Sequence, residues 1–306
     1  MSTAFRPGRG GSGTRGTSGG AGLRPRAPAR PAVDHVVRVN GLRLHYRELG
    51  DPAAPAVLMV HGVMGHSREW DTLLAALAPG FRVLAVDQRG HGASDRASDY
   101  SAAALADDLG ELIVRSGAAP VRLLGHSLGG MAALLLAARR SDLVERLVVI
   151  DIGPETLRSG FAAEELPAVL AAMAEASYRS PQEAVEEWLA GDPYAREPLL
   201  RHYVEHCLVR RGDGRLGWRF DAAGLARQAE TGFATESQLW SAVDRVCVPT
   251  LLVRGEHSPL LSRDHADRVV QRLEHGRGVV VHDGAHDLGV QQPETVAALV
   301  GGFLRP

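Results

Sequence analysis

LLGHSLGGMAALLLAARR, residues 123–140, sets a single serine between two glycines where a short apolar run gives way to a longer one. VRLLGHS (121–127) reads as a strand, and LGGMAALLLAARR (128–140) as a helix apolar around most of its circumference, which places it centrally. Serine is a poor nucleophile unless a base removes its proton. A sharp strand-to-helix turn lifts the hydroxyl out of the sheet edge, where base and substrate can reach it. Such a turn strains the serine backbone and brings neighbouring chain close, so small residues are needed two positions to either side, as at Gly125 and Gly129. The helix also aims its first N–H groups at the same place, which suits a developing oxyanion. The competing reading makes Ser127 a helix cap beside a glycine-rich turn.

Working outward, the rhythm is that of an α/β protein. VVRVNGLRLHYREL (36–49) alternates apolar and polar residues around Asn40-Gly41, a hairpin signal. AVLMVHG (56–62), FRVLAVD (81–87) and VERLVVID (144–151) read as strands, and 67–78 and 104–116 as helices. Residues 155–240 break the pattern: they are largely helical, with no strong strand. The rhythm resumes with VPTLLVRGE (248–256), a helix over 262–274, VVVHDGAH (279–286) and a helix over 293–304. The expected fold is α/β, a mostly parallel central sheet of about eight strands flanked by helices, with a helical insertion after the sixth strand.

Composition bounds the function. The chain is 306 residues long, 45% hydrophobic and 23% charged, with a formal net charge of −2. That gives no global pointer to nucleic acid or a membrane surface. All 34 basic residues are arginine, and six of them lie in residues 1–32 without an acid. That Gly/Arg/Pro-rich segment has no apolar face to offset the entropy of ordering, so it is expected to be a disordered tail. No apolar stretch suits a secretory signal, and no run of about 18 apolar residues suits a membrane span. Two cysteines, Cys207 and Cys247, give no disulfide framework and fit a reducing cytoplasm.

HGVMG (61–65), DQRGHGASD (87–95), GHSLGG (125–130), IDIGP (150–154) and GAHDLGVQQPE (284–294) occur in the order found in the α/β-hydrolase fold family. The chain resembles the branch of that family with a helical cap and a serine nucleophile. The resemblance covers about residues 33–306 and implies core segments 33–154 and 241–306 around a cap at 155–240. It implies that the backbone N–H groups of Val63 and Leu128 form the oxyanion hole. His61, His91, Arg89 and Asp95 are expected to hold loops.

His286, after the last strand, is the candidate general base, because an imidazole exchanges protons near neutrality. The acid departs from the family pattern. The family's aspartate follows the glycine that ends the seventh strand, and here that loop reads Gly255-Glu256-His257-Ser258-Pro259. Asp151, at the end of the sixth strand, is the first candidate, since some relatives place the acid there and the order Ser127, Asp151, His286 is kept. Glu256 is the second; Asp264 and Asp287 follow. His282, Asp283, His286 and Asp287 raise a metal question, but they share no helix face and no HExxH spacing, so no metal site is expected. Met64, Met131, Trp188, Trp218 and Trp240 are candidate pocket-lining residues.

The expected function is a serine hydrolase cleaving a small, partly apolar ester, lactone or thioester, with no cofactor, a small-molecule substrate, and neither nucleic acid nor membrane as partner. A non-hydrolytic or C–C-cleaving enzyme using the same Ser/His pair, and a catalytically silent ligand-binding protein, are the alternatives.

Overall fold

The computed structural model describes residues 31–158 and 164–305, so the tail expected over 1–32 lies almost wholly outside the described residues. Asn40 and Gly41 both take positive φ (49° and 85°), which closes the tight turn between β1 (Val33–Val39) and β2 (Leu42–Leu49). Then come β3 (Ala56–Val60), α1 (Asp71–Leu77), β4 (Arg82–Val86), α2 (Ala102–Arg115), β5 (Val121–His126), α3 (Leu128–Arg139) and β6 (Val144–Ile150). The intervening stretch holds α4 (Leu166–Glu175), α5 (Pro181–Gly191), α6 (Glu197–Cys207), β7 (Leu208–Arg210), β8 (Leu216–Trp218) and α7 (Ala222–Thr231). The chain ends with α8 (Glu236–Val243), β9 (Thr250–Gly255), α9 (Arg263–Arg272), β10 (Gly276–Val281), α10 (Leu288–Gln291) and α11 (Pro293–Leu304).

One sheet runs in the order β1-β2-β4-β3-β5-β6-β9-β10. The β1–β2 and β2–β4 pairs are antiparallel and the rest parallel. Continuous apolar strands follow from this, because alternate residues bury on opposite faces. Val57 and Met59 of β3 join the core beneath α1 and α11, whereas Leu58 and Val60 join the one beneath α2 and α3. Helix α3 is buried around its circumference because the sheet covers one side while α2 and α8 cover the others.

The structure differs from the sequence reading in three places. The stretch 155–240 contains a small antiparallel ribbon, β7–β8, paired from Leu208↔Trp218 to Arg210↔Leu216; three-residue strands are too short to leave a period in the sequence. The last strand begins at Gly276 and stops at Val281, so His282 to His286 form a loop rather than strand. The helix over 67–78 opens as a 3₁₀ turn, Ser67–Trp70, before becoming α1. Among the described residues no helix is long and apolar enough to cross a membrane.

Topology then places the site. β3 lies between β4 and β5, so the chain leaves it in opposite directions, which opens a crevice at the carboxyl ends of the strands. Register keeps those ends level: His126 pairs with Ile150, Ile150 with Val253, and Gly255 with Val281. The residues after β3, β5, β6, β9 and β10 therefore emerge along one edge. Helix α3 approaches this edge so closely that a Cβ on Gly129 would lie 2.4 Å from the His61 carbonyl oxygen and 2.6 Å from that of Val60. Backbone cannot step aside as a side chain can. We expect Gly129→Ala to destabilise the fold by about 1–3 kcal/mol, read as a lowered urea midpoint.

Candidate active site

Ser127 follows β5 with φ 51° and ψ −119°. Its N–H still donates to the Ile150 carbonyl (3.1 Å), so the sheet holds the residue while the backbone turns sharply into α3. Gly125 makes the turn possible, since a Cβ there would lie 2.3 Å from the Gly129 carbonyl oxygen. Asp151 repeats the device after β6: its φ is 52°, and its N–H donates to the Val253 carbonyl at 2.8 Å. Met64, with φ 71°, is a third non-glycine residue in the left-handed region at this edge. Strained backbone of this kind persists only where its surroundings fix it.

The Asp151 side chain has no exposed surface. Its Oδ1 accepts from the Gly255 N–H (2.9 Å), and its Oδ2 accepts from the Ser258 hydroxyl (2.6 Å) and from His286 Nδ1 (2.8 Å). Ser258, which stands where the family's acid is usual, thus hydrogen-bonds to the carboxylate that faces the histidine. Its own oxygen accepts from the N–H groups of Leu260 and Leu261 at 3.3 and 3.0 Å. Glu256 is turned elsewhere: it is exposed, and its carboxylate meets His282 Nδ1 (3.3 Å) and the Asp283 N–H (3.1 Å). Asp264 sits in the first turn of α9, on the exposed surface.

Burial disfavours the charged form of the His286 ring, but the hydrogen bond and charge of Asp151, with the charge of Asp287, outweigh it. The result is a pKa above the ordinary 6.5. His126 lies against the same ring, centroids 4.7 Å apart, and its Nε2 donates to the His286 carbonyl at 3.0 Å. Burial and the neighbouring His286 charge lower His126 to about 4, so it stays neutral. This contact ties the residue beside Ser127 to the loop that carries His286. Among the described residues Ser127 Oγ makes no hydrogen bond; catalytic hydrogen bonds commonly tighten only once substrate is bound.

The loop 61–65 closes over the serine. A Cβ on Gly62 would lie 3.0 Å from Ser127 Cβ. His61 fixes the loop: its Nδ1 donates to the Gly62 carbonyl (2.7 Å) and its Nε2 accepts from the Gln88 N–H (3.0 Å). Burial lowers the His61 pKa, which keeps the ring neutral and consistent with that holding role. Tyr203 of α6 donates its hydroxyl to the Met64 carbonyl at 2.9 Å. Among the described residues the N–H groups of Val63 and Leu128 have no acceptor. The expected loop braces are also present, with Arg89 bound to Asp108 through two hydrogen bonds (2.7 and 2.8 Å) and Arg43 to Asp95.

A cleft opens beside this loop, lined by Val63, Met64, Glu69, Trp188, Leu200 and Asp287 among others. Met64 and Trp188 are thus on its wall. Met131 and Trp218 are not: Met131 is buried in α3, and Trp218 packs edge-on against Trp188 (5.7 Å) and Tyr178 (5.6 Å). Trp240 lies under the Arg272 guanidinium, 4.8 Å from its ring centre, with its Nε1 donating to Glu236. Helical periodicity marked these side chains as apolar but could not tell core from cleft.

Sequence reasoning missed Glu69. Within SREWDTLLAALA it falls off the apolar positions and reads as a solvent-facing charge. The loop folds it inward instead, so that a Cβ on Gly65 would lie 2.5 Å from Glu69 Oε2. Burial first, then the charge of Asp287, raises its pKa well above the carboxylate range. As for metal ligands, His282 faces Glu256 rather than His286. His126, His286 and Asp287 bring ligand atoms within 4.8 Å of one another, and among the described residues each ring commits one nitrogen to the protein and keeps the other free.

Comparison with known proteins agrees with this geometry. Residues 55–293 match the family described as alpha/beta hydrolase fold. The chain is 30% identical over 274 residues to the sn-1-specific diacylglycerol lipase ABHD11 of Mus musculus, covering 86% of this chain and 85% of that protein. It is 31% identical over 257 residues to Esterase Rv0045c of Mycobacterium tuberculosis, covering 82% and 83%. The crystal structure of E-2-(acetamidomethylene)succinate hydrolase superposes with a TM-score of 0.80 at 29% identity, covering 89% of this chain and 98% of that one. With its sheet order, the sharp strand-to-helix turn at Ser127 and the family match in agreement, this chain belongs to the alpha/beta hydrolase fold family and is an α/β-fold hydrolase.

Proposed function

We propose that the protein is a serine hydrolase that cleaves a small, partly apolar ester, lactone or thioester through an acyl-enzyme on Ser127. The observation that carries this reading is the 2.8 Å contact between Asp151 Oδ2 and His286 Nδ1, made by a carboxylate with no exposed surface. A proton on Nδ1 held by Asp151 leaves the Nε2 lone pair of His286 as the base. Ser127 Oγ attacks the substrate carbonyl while Nε2 takes its proton. The carbonyl electrons move onto oxygen, and the N–H groups of Val63 and Leu128 receive that charge; one such donor contributes about 3–4 kcal/mol to transition-state stabilisation. Collapse breaks the bond to the leaving group, which takes the proton from His286. Water, deprotonated by the same nitrogen, then releases the acid and regenerates the serine.

Three lines support the substrate class. The cleft wall contributed by Val63, Met64, Trp188 and Leu200 is apolar. No carboxylate stands at position 127, so the reading is acyl transfer to an oxygen nucleophile. Relatives with 30–31% identity are named as a lipase and an esterase. The helices over 155–240 are read as a cap that covers the cleft and excludes water.

Incubation with a fluorophosphonate should label Ser127, identified by mass spectrometry, with release of acid and alcohol from short p-nitrophenyl esters; an unlabelled serine would leave a binding protein. Asp151→Asn should lower kcat by about 10⁴-fold, whereas Glu256→Gln should leave it within about twofold; the reverse ranking reassigns the acid. Because the base works only when neutral and its pKa lies above 6.5, kcat/KM should rise with pH through a limb centred above 6.5 and then level off. A limb centred below 6.5 in a pH–rate profile would contradict the Asp151–His286 pairing.

A further inference from the structure

The cleft beside the loop 61–65 is lined by both apolar and acidic side chains, with His126, the neighbour of Ser127, among them. Met64, Trp188 and Leu200 provide the apolar wall; Glu69, Asp192 and Asp287 provide carboxyl groups. One of the three is answered within the protein, since Asp192 Oδ2 accepts from Gln291 Nε2 at 2.9 Å. Glu69 and Asp287 have no ion-pair partner among the described residues, and no arginine is among the residues that line this cleft. Arg68 lines an adjoining opening, which shares Glu69, Tyr203, Gly289 and Val290 with the first. The imidazole on the wall, His126, supplies no positive charge, because burial and His286 keep it neutral.

We propose that Asp287 is a specificity-determining residue that excludes anions, with Glu69 as an uncharged hydrogen-bond donor beside it, so that the part of the substrate lodged in this cleft is uncharged. This rests on the serine-hydrolase reading and narrows its substrate class. A carboxylate entering here exchanges water for an apolar wall and the charge of Asp287, with no arginine in the lining to compensate. Like-charge juxtaposition in a desolvated site is costly and serves mainly to reject wrong partners. An uncharged chain pays neither penalty, and a carbonyl or ether oxygen on it can accept a hydrogen bond from Glu69, whose proton is retained by burial and by Asp287. The two acids come from different parts of the chain: Glu69 from the 3₁₀ turn before α1, Asp287 from the residue capping α10. Their meeting on one cleft wall is a property of the fold, not of a local charge run.

The test compares mono-p-nitrophenyl adipate with its methyl ester, two substrates of matched length that differ in one negative charge, by release of p-nitrophenolate at pH 7.5. The wild-type protein should favour the methyl ester by at least about tenfold in kcat/KM, mainly through KM. Asp287→Asn should narrow that ratio at least about threefold, whereas Glu69→Gln, which replaces a protonated carboxyl by an uncharged amide, should leave it within about twofold; a ratio within one variant cancels any change it makes to the Ser127–His286 chemistry. Equal rates for the two substrates in the wild type overturn the proposal without any variant, as does a preference that Asp287→Asn leaves unchanged. Failure of fluorophosphonate labelling at Ser127 together with inactivity on both substrates strikes at the hydrolase reading instead, so the two failures are told apart.

Discussion

A carboxylate with no access to solvent must have its lone pairs answered by the protein, and the candidate site is arranged around one such group. Asp151 takes hydrogen bonds from the Gly255 N–H, the Ser258 hydroxyl and His286 Nδ1. Those donors come from the end of β9, the loop after it, and the loop after β10. The group itself stands at the end of β6. Three consecutive strand ends of the sheet are thereby joined through one side chain. Losing one of these hydrogen bonds to a buried carboxylate costs about 1–3 kcal/mol, so the orientation of His286 is fixed by the same contacts that hold this edge of the sheet together.

The arrangement also accounts for the departure at the loop after β9. A serine stands there instead of a carboxylate, yet the position still serves the same histidine indirectly. Ser258 donates a hydrogen bond from its hydroxyl to Asp151 and accepts from the N–H groups of Leu260 and Leu261, so it sets the loop and completes the shell of the carboxylate at once. A second carboxylate at this position would face Asp151 across hydrogen-bond distance, where two like charges repel. A hydroxyl, able to donate, suits the site.

Much of this was legible in the sequence because it is local. Strand and helix periods gave the layers, Asn40-Gly41 gave the hairpin, and the glycines at 125 and 129 marked a bend whose neighbours approach within ordinary contact distance. The resemblance pointed to Asp151 beside Glu256, and the structure brings Asp151, not Glu256, to His286 Nδ1. What was not legible depends on tertiary approach. Glu69 sits at a polar position of an amphipathic stretch, and only the course of the loop 61–65 turns it into the cleft. Trp218 and Trp188 look alike in sequence, yet one packs inside the helical segment and the other reaches the cleft wall. The ribbon β7–β8 spans three residues per strand, which carries no period to detect.

The Tyr203 hydroxyl that donates to the Met64 carbonyl has a mechanical implication. It pins α6 to the loop 61–65, whose Gly62 lies against Ser127. On the proposed function, lifting α6 to admit a bulky guest would break that pin and release a residue held at a φ of 71°, so the set of this loop is tied to guests that fit beneath a seated α6.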